Sequence, residues 1–337
     1  MTNRILELLP GLAVLLVGAG AAYGLSQTIR GINELILAIV IGFLVTNTVG
    51  LPDWTESGIG THKIWLETGI VLMGARIALD QLLAVGPQML LVIVAFLVFT
   101  VVYVEFLSRN VFGITDRMGS LLAAGSSICG VSAIVAVSGG VRAKSEQITY
   151  AVATILVFDA LTLMAYPIIG RLLELPNIVF GAWAGISMFS TGPVVAAGAT
   201  YSQEAAEWAT ITKLGRNIFI GLLAIAYAVY YARQSSGDAD SDSIGNKWLY
   251  VWKQFPKFVI GFLVVIVVVS LGLLSGSEVE TMRNLYQWLF LVAFVGLGAN
   301  IQLRKMRNTG LKPILTVFTA FLTVSVLSLL TSIFLFG

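Results

Sequence analysis

The feature that most constrains this chain is a succession of apolar stretches, each about 20 residues long. They run over 8–26, 31–49, 63–80, 87–107, 118–138, 147–171, 178–200, 207–232, 253–274, 282–301 and 311–336. In hydrocarbon no water is available to backbone N–H and C=O groups, so a segment that crosses alone must pair its own groups, as a helix does. The expected fold class is an all-α polytopic membrane protein with about eleven transmembrane helices. Charge agrees: Asp, Glu, Lys and Arg make up 11% of the 337 residues, against about 25% in soluble domains. The surface is therefore expected to be covered largely by lipid. The first stretch resembles a secretory leader only superficially, since its basic flank is a single Arg4.

Several function classes drop out. The net charge is +2 and the basic residues are scattered between spans, which gives no nucleic-acid surface. The single cysteine excludes an internal disulfide framework. One histidine, His62, read as part of a polar loop, leaves no histidine-based metal site and no Ser-His-Asp set. Walker and zinc-helix motifs are missing. The expectation is a protein that is no enzyme and needs no cofactor.

A near-repeat runs through the spans. Gly74-Ala75-Arg76-Ile77-Ala78-Leu79 returns as Gly298-Ala299-Asn300-Ile301-Gln302-Leu303, an offset of 224, and Gly86 returns as Gly310. Val40-Ile41-Gly42-Phe43 returns as Val259-Ile260-Gly261-Phe262, an offset of 219. The echoed spans are third and tenth, and second and ninth. An odd separation means that the copies cross the membrane in opposite senses. The first to fourth and eighth to eleventh spans are then inverted partners, within repeat halves of about 8–138 and 178–336 in one transporter domain. Inverted duplication is a common plan of secondary transporters, with substrate near the midplane.

Orientation follows from basic residues. The N-terminus and the loops on its side hold thirteen of the twenty Lys and Arg, the opposite loops hold Arg30, Arg142, Lys144 and Arg283, and Arg76, Lys213 and Arg216 lie within spans. The positive-inside rule puts the N-terminus in the cytoplasm and, after eleven spans, the C-terminus outside. The polar stretch 233–247 reads as a flexible cytoplasmic linker, and Trp248, Tyr250 and Trp252 as an interfacial belt.

Candidate chemistry gathers in the middle spans. The fifth holds Gly125-Ser126-Ser127-Ile128-Cys129-Gly130-Val131-Ser132, and the seventh holds Ser190-Thr191-Gly192-Pro193. Gly and Pro free backbone groups, and small hydroxyls beside them can bind a solute together with exposed helix ends. The competing reading is close packing of small residues. Both spans are expected to be interrupted, near Ser127–Gly130 and Ser190–Pro193, and to approach each other. Intramembrane charges mark pathways or pairs. Asp159 sits mid-span, with Thr162 and Tyr166 on the same face; Lys213 and Arg216 lie in the eighth span, with Thr210 and Asn217 sharing a face with Lys213. Arg76 lies in the third span, within reach of Asp80, and its echo is Asn300. Glu105 is read as interfacial, and Cys129 as a small packing residue.

The run from Gly125 to Ile134 resembles the signature of the sulfate exporter family of bacterial and archaeal membrane proteins. Val194-Val195-Ala196-Ala197-Gly198, Lys213-Leu214-Gly215-Arg216 and Gly74-Ala75-Arg76 are similar to further segments of that family, in the same order. Many members carry a His-Glu pair and a Gln where this chain has Phe189, Ser190 and Pro193, and Asp159 stands where some have a small residue. The stretch from Gly74 to Thr154 is also similar in plan to bile acid–sodium symporters and sodium–proton antiporters, a likeness of fold alone.

The expectation drawn from all this is an inner-membrane secondary transporter for a small anion such as sulfate or an organosulfonate-like solute. Its substrate-binding residues are Ser126, Ser127, Cys129, Gly130, Ser132, Ser190, Thr191, Lys213, Arg216, Arg76 and Asn300. Asp159 and Thr162 are the coupling-ion residues, for Na+ or H+. Metal ions and nucleic acid are not expected partners, and a homodimer is compatible with the reading. A dianion leaving a cell at 100 mV, inside negative, gains about 4.6 kcal/mol, so export needs no partner ion and import does. The alternatives are an anion channel and a membrane sensor or scaffold.

Overall fold

The structure is a computed structural model and describes residues 2–28, 34–76, 79–235, 256–302 and 310–337. The described residues are almost entirely helical. In chain order the main helices are α1 (Thr2–Thr28), α2 (Glu34–Leu44), α3 (His62–Met73), α4 (Leu79–Phe106), α5 (Asp116–Ser127), α6 (Val131–Val141) and α7 (Ser145–Leu172). There follow α8 (Asn177–Ser187), α9 (Thr191–Tyr201), α10 (Gln203–Asn217), α11 (Ile220–Ser235), α12 (Lys257–Ser270), α13 (Gly276–Ala299) and α14 (Leu311–Phe336). Among the described residues five stretches are long and apolar enough to cross a membrane: Glu7–Thr28, Val85–Val111, Ser145–Leu172, Gln203–Gln234 and Leu311–Phe336. Most of the linker, the belt of Trp248, Tyr250 and Trp252, and the basic residues Arg304, Lys305 and Arg307 lie outside the described residues.

Local sequence accounts for several boundaries. Ser275 opens α13 by accepting the Glu278 N–H, while the Glu278 carboxylate accepts the Ser275 N–H at 2.7 Å. Pro10, Pro87 and Pro167 lie inside α1, α4 and α7, where proline is tolerated in membrane helices because neighbouring groups take up the freed carbonyls.

The chain divides into two compact units, 1–85 with 257–304, and 86–256 with 305–337. The first unit is packed through small residues. A side chain added at Gly42 of α2 would meet the backbone of Val295 and Ala299 on α13, and one at Gly298 would meet Ile39 of α2. A side chain added at Gly261 of α12 would meet Val71 of α3, and one at Gly74 would meet Phe262. Without lipid–water contrast to drive association, such close backbone approach is what holds membrane helices together. His62, expected in a polar loop, is instead buried at the start of α3: its Nδ1 lies 2.9 Å from the Ile59 carbonyl, and its ring is 3.3 Å from Asn300 Nδ2. The loop reading failed because the preceding polar run folds into short helical turns and Gly296 of α13 packs directly on the His62 side chain.

The second unit holds the interrupted helices. Helix α5 has 12 residues and α6 has 11; α8 and α9 have 11 each. At about 1.5 Å per residue no single one spans a bilayer core of about 30 Å, and each pair folds back on itself: Arg117 at the start of α5 donates to the Arg142 carbonyl at the end of α6 at 3.1 Å, and Ser202, just after α9, donates to Asn177 Oδ1 at the start of α8 at 2.8 Å. The stretches 118–138 and 178–200, expected to be spans, are therefore helical hairpins that enter and leave on one side, which corrects the count of eleven crossings. Tyr166 of α7 stacks on Trp183 of α8 with centroids 4.0 Å apart, and both bond to Ser325 of α14. These contacts fix α8 against α7 and α14.

Candidate functional site

The two interruptions differ in mechanism. After Ser127 the chain leaves the helix at Ile128 and turns through Gly130, whose φ is +65° and ψ −124°. Only glycine adopts that region without strain, so Gly130 is what permits the first break. After Ser187 the chain runs extended through Met188 to Ser190, and α9 restarts at Thr191 with Pro193 in its first turn. Proline suits a helix start because it lacks an N–H that would be unpaired there. The first interruption falls where the sequence places it, and the second lies at Met188–Ser190, just before most of the expected Ser190–Pro193.

The breaks lie side by side. Lys213 of α10 donates from one ammonium to the Ile128 carbonyl at 2.6 Å and to the Met188 carbonyl at 3.0 Å. Arg216, one turn on, donates to the carbonyls of Ser126 and Ser127 at 3.0 Å and of Gly185 at 2.9 Å and Met188 at 3.0 Å, and to that of Ile186. Both side chains are buried, at 0% and 2% exposure. The last carbonyls of a helix have no intrahelical donor and carry the negative end of its dipole. Two cations from α10 therefore cap the C-terminal ends of α5 and α8 together. Their hydrogen bonds go to backbone, and neither forms an ion pair with Asp159 within 4.0 Å among the described residues.

The opposite ends of the breaks are arranged differently. The first N–H groups of α6 and α9 have no carbonyl a turn before them and carry the positive dipole end. Asp159 of α7 reaches the start of α9, where its Oδ1 accepts the Ser190 N–H at 3.0 Å. Asn217 of α10 donates from Nδ2 to Thr191 Oγ1 at 3.1 Å. Three buried oxygens here have no hydrogen-bond partner, Ser126 Oγ, Asp159 Oδ2 and Asn217 Oδ1, and the Ser190 hydroxyl lies against the Asp159 carboxylate. Ser190 and Thr191 are half-buried, and Ser132, on the first turn of α6, is exposed. Thus two cations cap the C-terminal ends, whereas the start of α9 meets a carboxylate.

The expected site residues distribute as follows. Ser126, Ser127, Cys129, Gly130, Ser190, Thr191, Lys213 and Arg216 gather around the paired breaks, and Ser132 sits just beyond. Cys129 is a free, buried thiol within the first break. Thr162 donates to the Phe158 carbonyl at 2.7 Å, so its hydroxyl is tied to its own helix, and Tyr166 is bound to Ser187 at 2.8 Å. Arg76 and Asn300 belong to the other unit, where Arg76 donates to Tyr286 Oη at 3.4 Å and Asn300 to the Gly296 carbonyl at 2.9 Å. The Asp80 side chain lies outside the described residues. Glu105 accepts from Ser120 at 2.6 Å, Tyr227 at 2.8 Å and Arg109 at 2.7 Å. Asn217 was legible as sharing a face with Lys213, but nothing in the sequence tied it to Thr191.

Residues 10–317 match the family model described as Conserved hypothetical protein 698. The chain belongs to this family. Members similar to it are UPF0324 membrane proteins. One from Nitratidesulfovibrio vulgaris is 36% identical over 94% of this chain and 90% of its own length. One from Pseudomonas aeruginosa is 32% identical over 93% and 90%, and one from Streptococcus pyogenes 30% over 96% and 96%. No solved structure matches the chain. Like these UPF0324 proteins, it is a multi-pass membrane protein.

Proposed function

We propose that this chain is a secondary transporter for a small anion, bound where the two interrupted helices meet. The observation that carries the reading is the asymmetry of the breaks. Lys213 and Arg216 are spent on the C-terminal carbonyls of α5 and α8. The N-terminal ends of α6 and α9 present their positive dipole ends to a ligand, flanked by Ser132, Ser190 and Thr191. In this reading Lys213 and Arg216 hold the site open and set its positive field, and the backbone and hydroxyls make the direct contacts. Asp159 occupies the α9 end through the Ser190 N–H. An anion entering there meets a carboxylate, so binding is favoured when Asp159 carries a proton or a cation. That competition links ion movement to anion movement.

Packing in the first unit supports an inverted duplication. Gly42 faces Val295, and at the echoed positions Gly261 faces Val71. Val71 and Val295 differ by the same 224 residues as Gly74 and Gly298. Each echoed helix thus packs on the partner of its own copy, as two units related by a twofold axis do.

The test is counterflow in liposomes with the purified chain and a panel of oxyanions and sulfonates. Saturable exchange supports a carrier; flux that does not saturate and shows no exchange indicates a channel. Absence of flux and of ligand-induced thermal stabilisation across the panel indicates a scaffold. Asp159→Asn is expected to fold and to transport without dependence on pH or sodium. A variant that folds and keeps the ion dependence places coupling elsewhere.

A further inference from the structure

Asp159 and Asn217 grip neighbouring residues of one chain step from two different helices. Asp159 holds the Ser190 N–H, and Asn217 holds the Thr191 hydroxyl. Each keeps its second oxygen, Asp159 Oδ2 and Asn217 Oδ1, buried and without a hydrogen-bond partner, and the Ser190 hydroxyl lies against the Asp159 carboxylate. The two side chains are 4% and 2% exposed. Buried polar atoms in folded proteins are nearly always satisfied, so two bare acceptors beside a hydroxyl at one chain step point to a bound partner.

The chemistry of the three oxygens selects that ligand. An amide oxygen and a carboxylate oxygen can only accept, so an anion does not satisfy them. A proton on Asp159 serves one oxygen and leaves Asn217 Oδ1 bare. The neighbouring cations do not serve either, because Lys213 and Arg216 donate to carbonyls of α5, α8 and the two breaks. A hard cation takes several oxygens at once. One carboxylate, one amide and one hydroxyl form a set of low charge. Divalent ions draw on more carboxylates or on phosphates, and among the described residues no group of three or more His, Cys, Asp or Glu is placed to hold a metal.

We infer that Asp159 Oδ2, Asn217 Oδ1 and Ser190 Oγ form a binding site for an alkali cation of the sodium class, at the start of α9. This deepens the transport reading by naming the coupling ion and adding Asn217 as its ligand; its role in coupling rests on that reading, whereas binding itself does not. Sodium drawn onto Asp159 neutralises the carboxylate that faces the anion's end of α9. Cation binding is thereby coupled to anion binding.

The test uses the purified full chain in detergent, with sodium chloride replaced stepwise by choline chloride at constant ionic strength. The unfolding midpoint is expected to rise with sodium and to saturate. Radiolabelled sodium should bind and be displaced by unlabelled sodium. Asn217→Ala and Asp159→Asn should each remove the sodium-dependent rise, and Asn217→Asp, which keeps an acceptor in place, should retain it. Equal midpoints in sodium and choline, or a midpoint that responds to pH and not to sodium, overturns the inference. So does an unchanged sodium response in both folded variants. If the variants do not fold, the sodium–choline comparison and the binding measurement on the unaltered chain decide alone. Sodium binding without anion flux leaves this site standing and removes the transport reading. Anion counterflow that is equal in sodium and choline leaves the transport reading standing and removes sodium's role in coupling.

Discussion

Replacing Gly130 by alanine probes the first break directly. The substitution has two separable costs. The backbone at φ +65° and ψ −124° lies where a Cβ is strained, which costs about 1–3 kcal/mol. The new methyl would also meet the Ser190 hydroxyl, Ser190 Cβ at 3.3 Å and Ile155 Cγ2 at 3.1 Å. The hydroxyl is the end of a rotatable side chain and can turn aside at about 0.5–1.5 kcal/mol. Together these destabilise the folded state by about 1.5–4.5 kcal/mol, a large part of the roughly 5–15 kcal/mol typical of a domain. The assay is thermal unfolding of the detergent-purified variant, with Ser190→Gly and the double variant completing a cycle. Removing the Ser190 side chain should recover only the steric share, about 0.5–1.5 kcal/mol, because the backbone strain stays. If Gly130→Ala lies within about 0.5 kcal/mol of the parent, as an indifferent surface change would, the chain does not turn at Gly130 and the first hairpin is not built on that glycine. That result would remove the paired breaks on which the proposed site stands.

Arg216→Met should cost about 3–5 kcal/mol or abolish folding, because it strips a buried charge from carbonyls of two helix ends. Arg216→Lys, with its charge kept but fewer donors, should fall between, and size-exclusion profiles with unfolding midpoints would rank the three; a Met variant as stable as the parent refutes the capping role. Gly298→Ala pushes a methyl against the backbone of Ile39, which cannot rotate away, and should lower stability by about 1–3 kcal/mol in the same assay. No loss there would mean that α2 and α13 pack less closely. A cysteine placed at Ser236, which lies outside the described residues, should be labelled only from the cytoplasmic side; labelling from outside would reverse the orientation.

How much was legible follows from the range of the forces. Apolar length and scarce charge identify a helical membrane chain, because lipid requires each span to satisfy its own backbone. Gly130 and Pro193 announce the breaks, because backbone conformation is set within a few residues. The echo of Gly42 and Gly74 in Gly261 and Gly298 is also sequence information, because close helix approach needs a small residue wherever it occurs. The partners of the charges were not legible. Lys213 and Arg216 read as candidates to meet a substrate or Asp159, yet they end on the carbonyls of Ile128 and Met188, which are invisible to any reading by residue type. Arg76 and Asn300 echo each other in sequence but stand in a different unit from Ser126 and Ser190. Thr162 follows Asp159 on one face, yet its hydroxyl turns back onto its own helix. The sequence alone settles which segments are helices, where they break and which of them echo one another. Only the tertiary structure decides which helix ends meet and which charge caps which end. The reason is that backbone preference acts locally, whereas the electrostatics of a helix terminus depends on whatever side chain the fold brings to it.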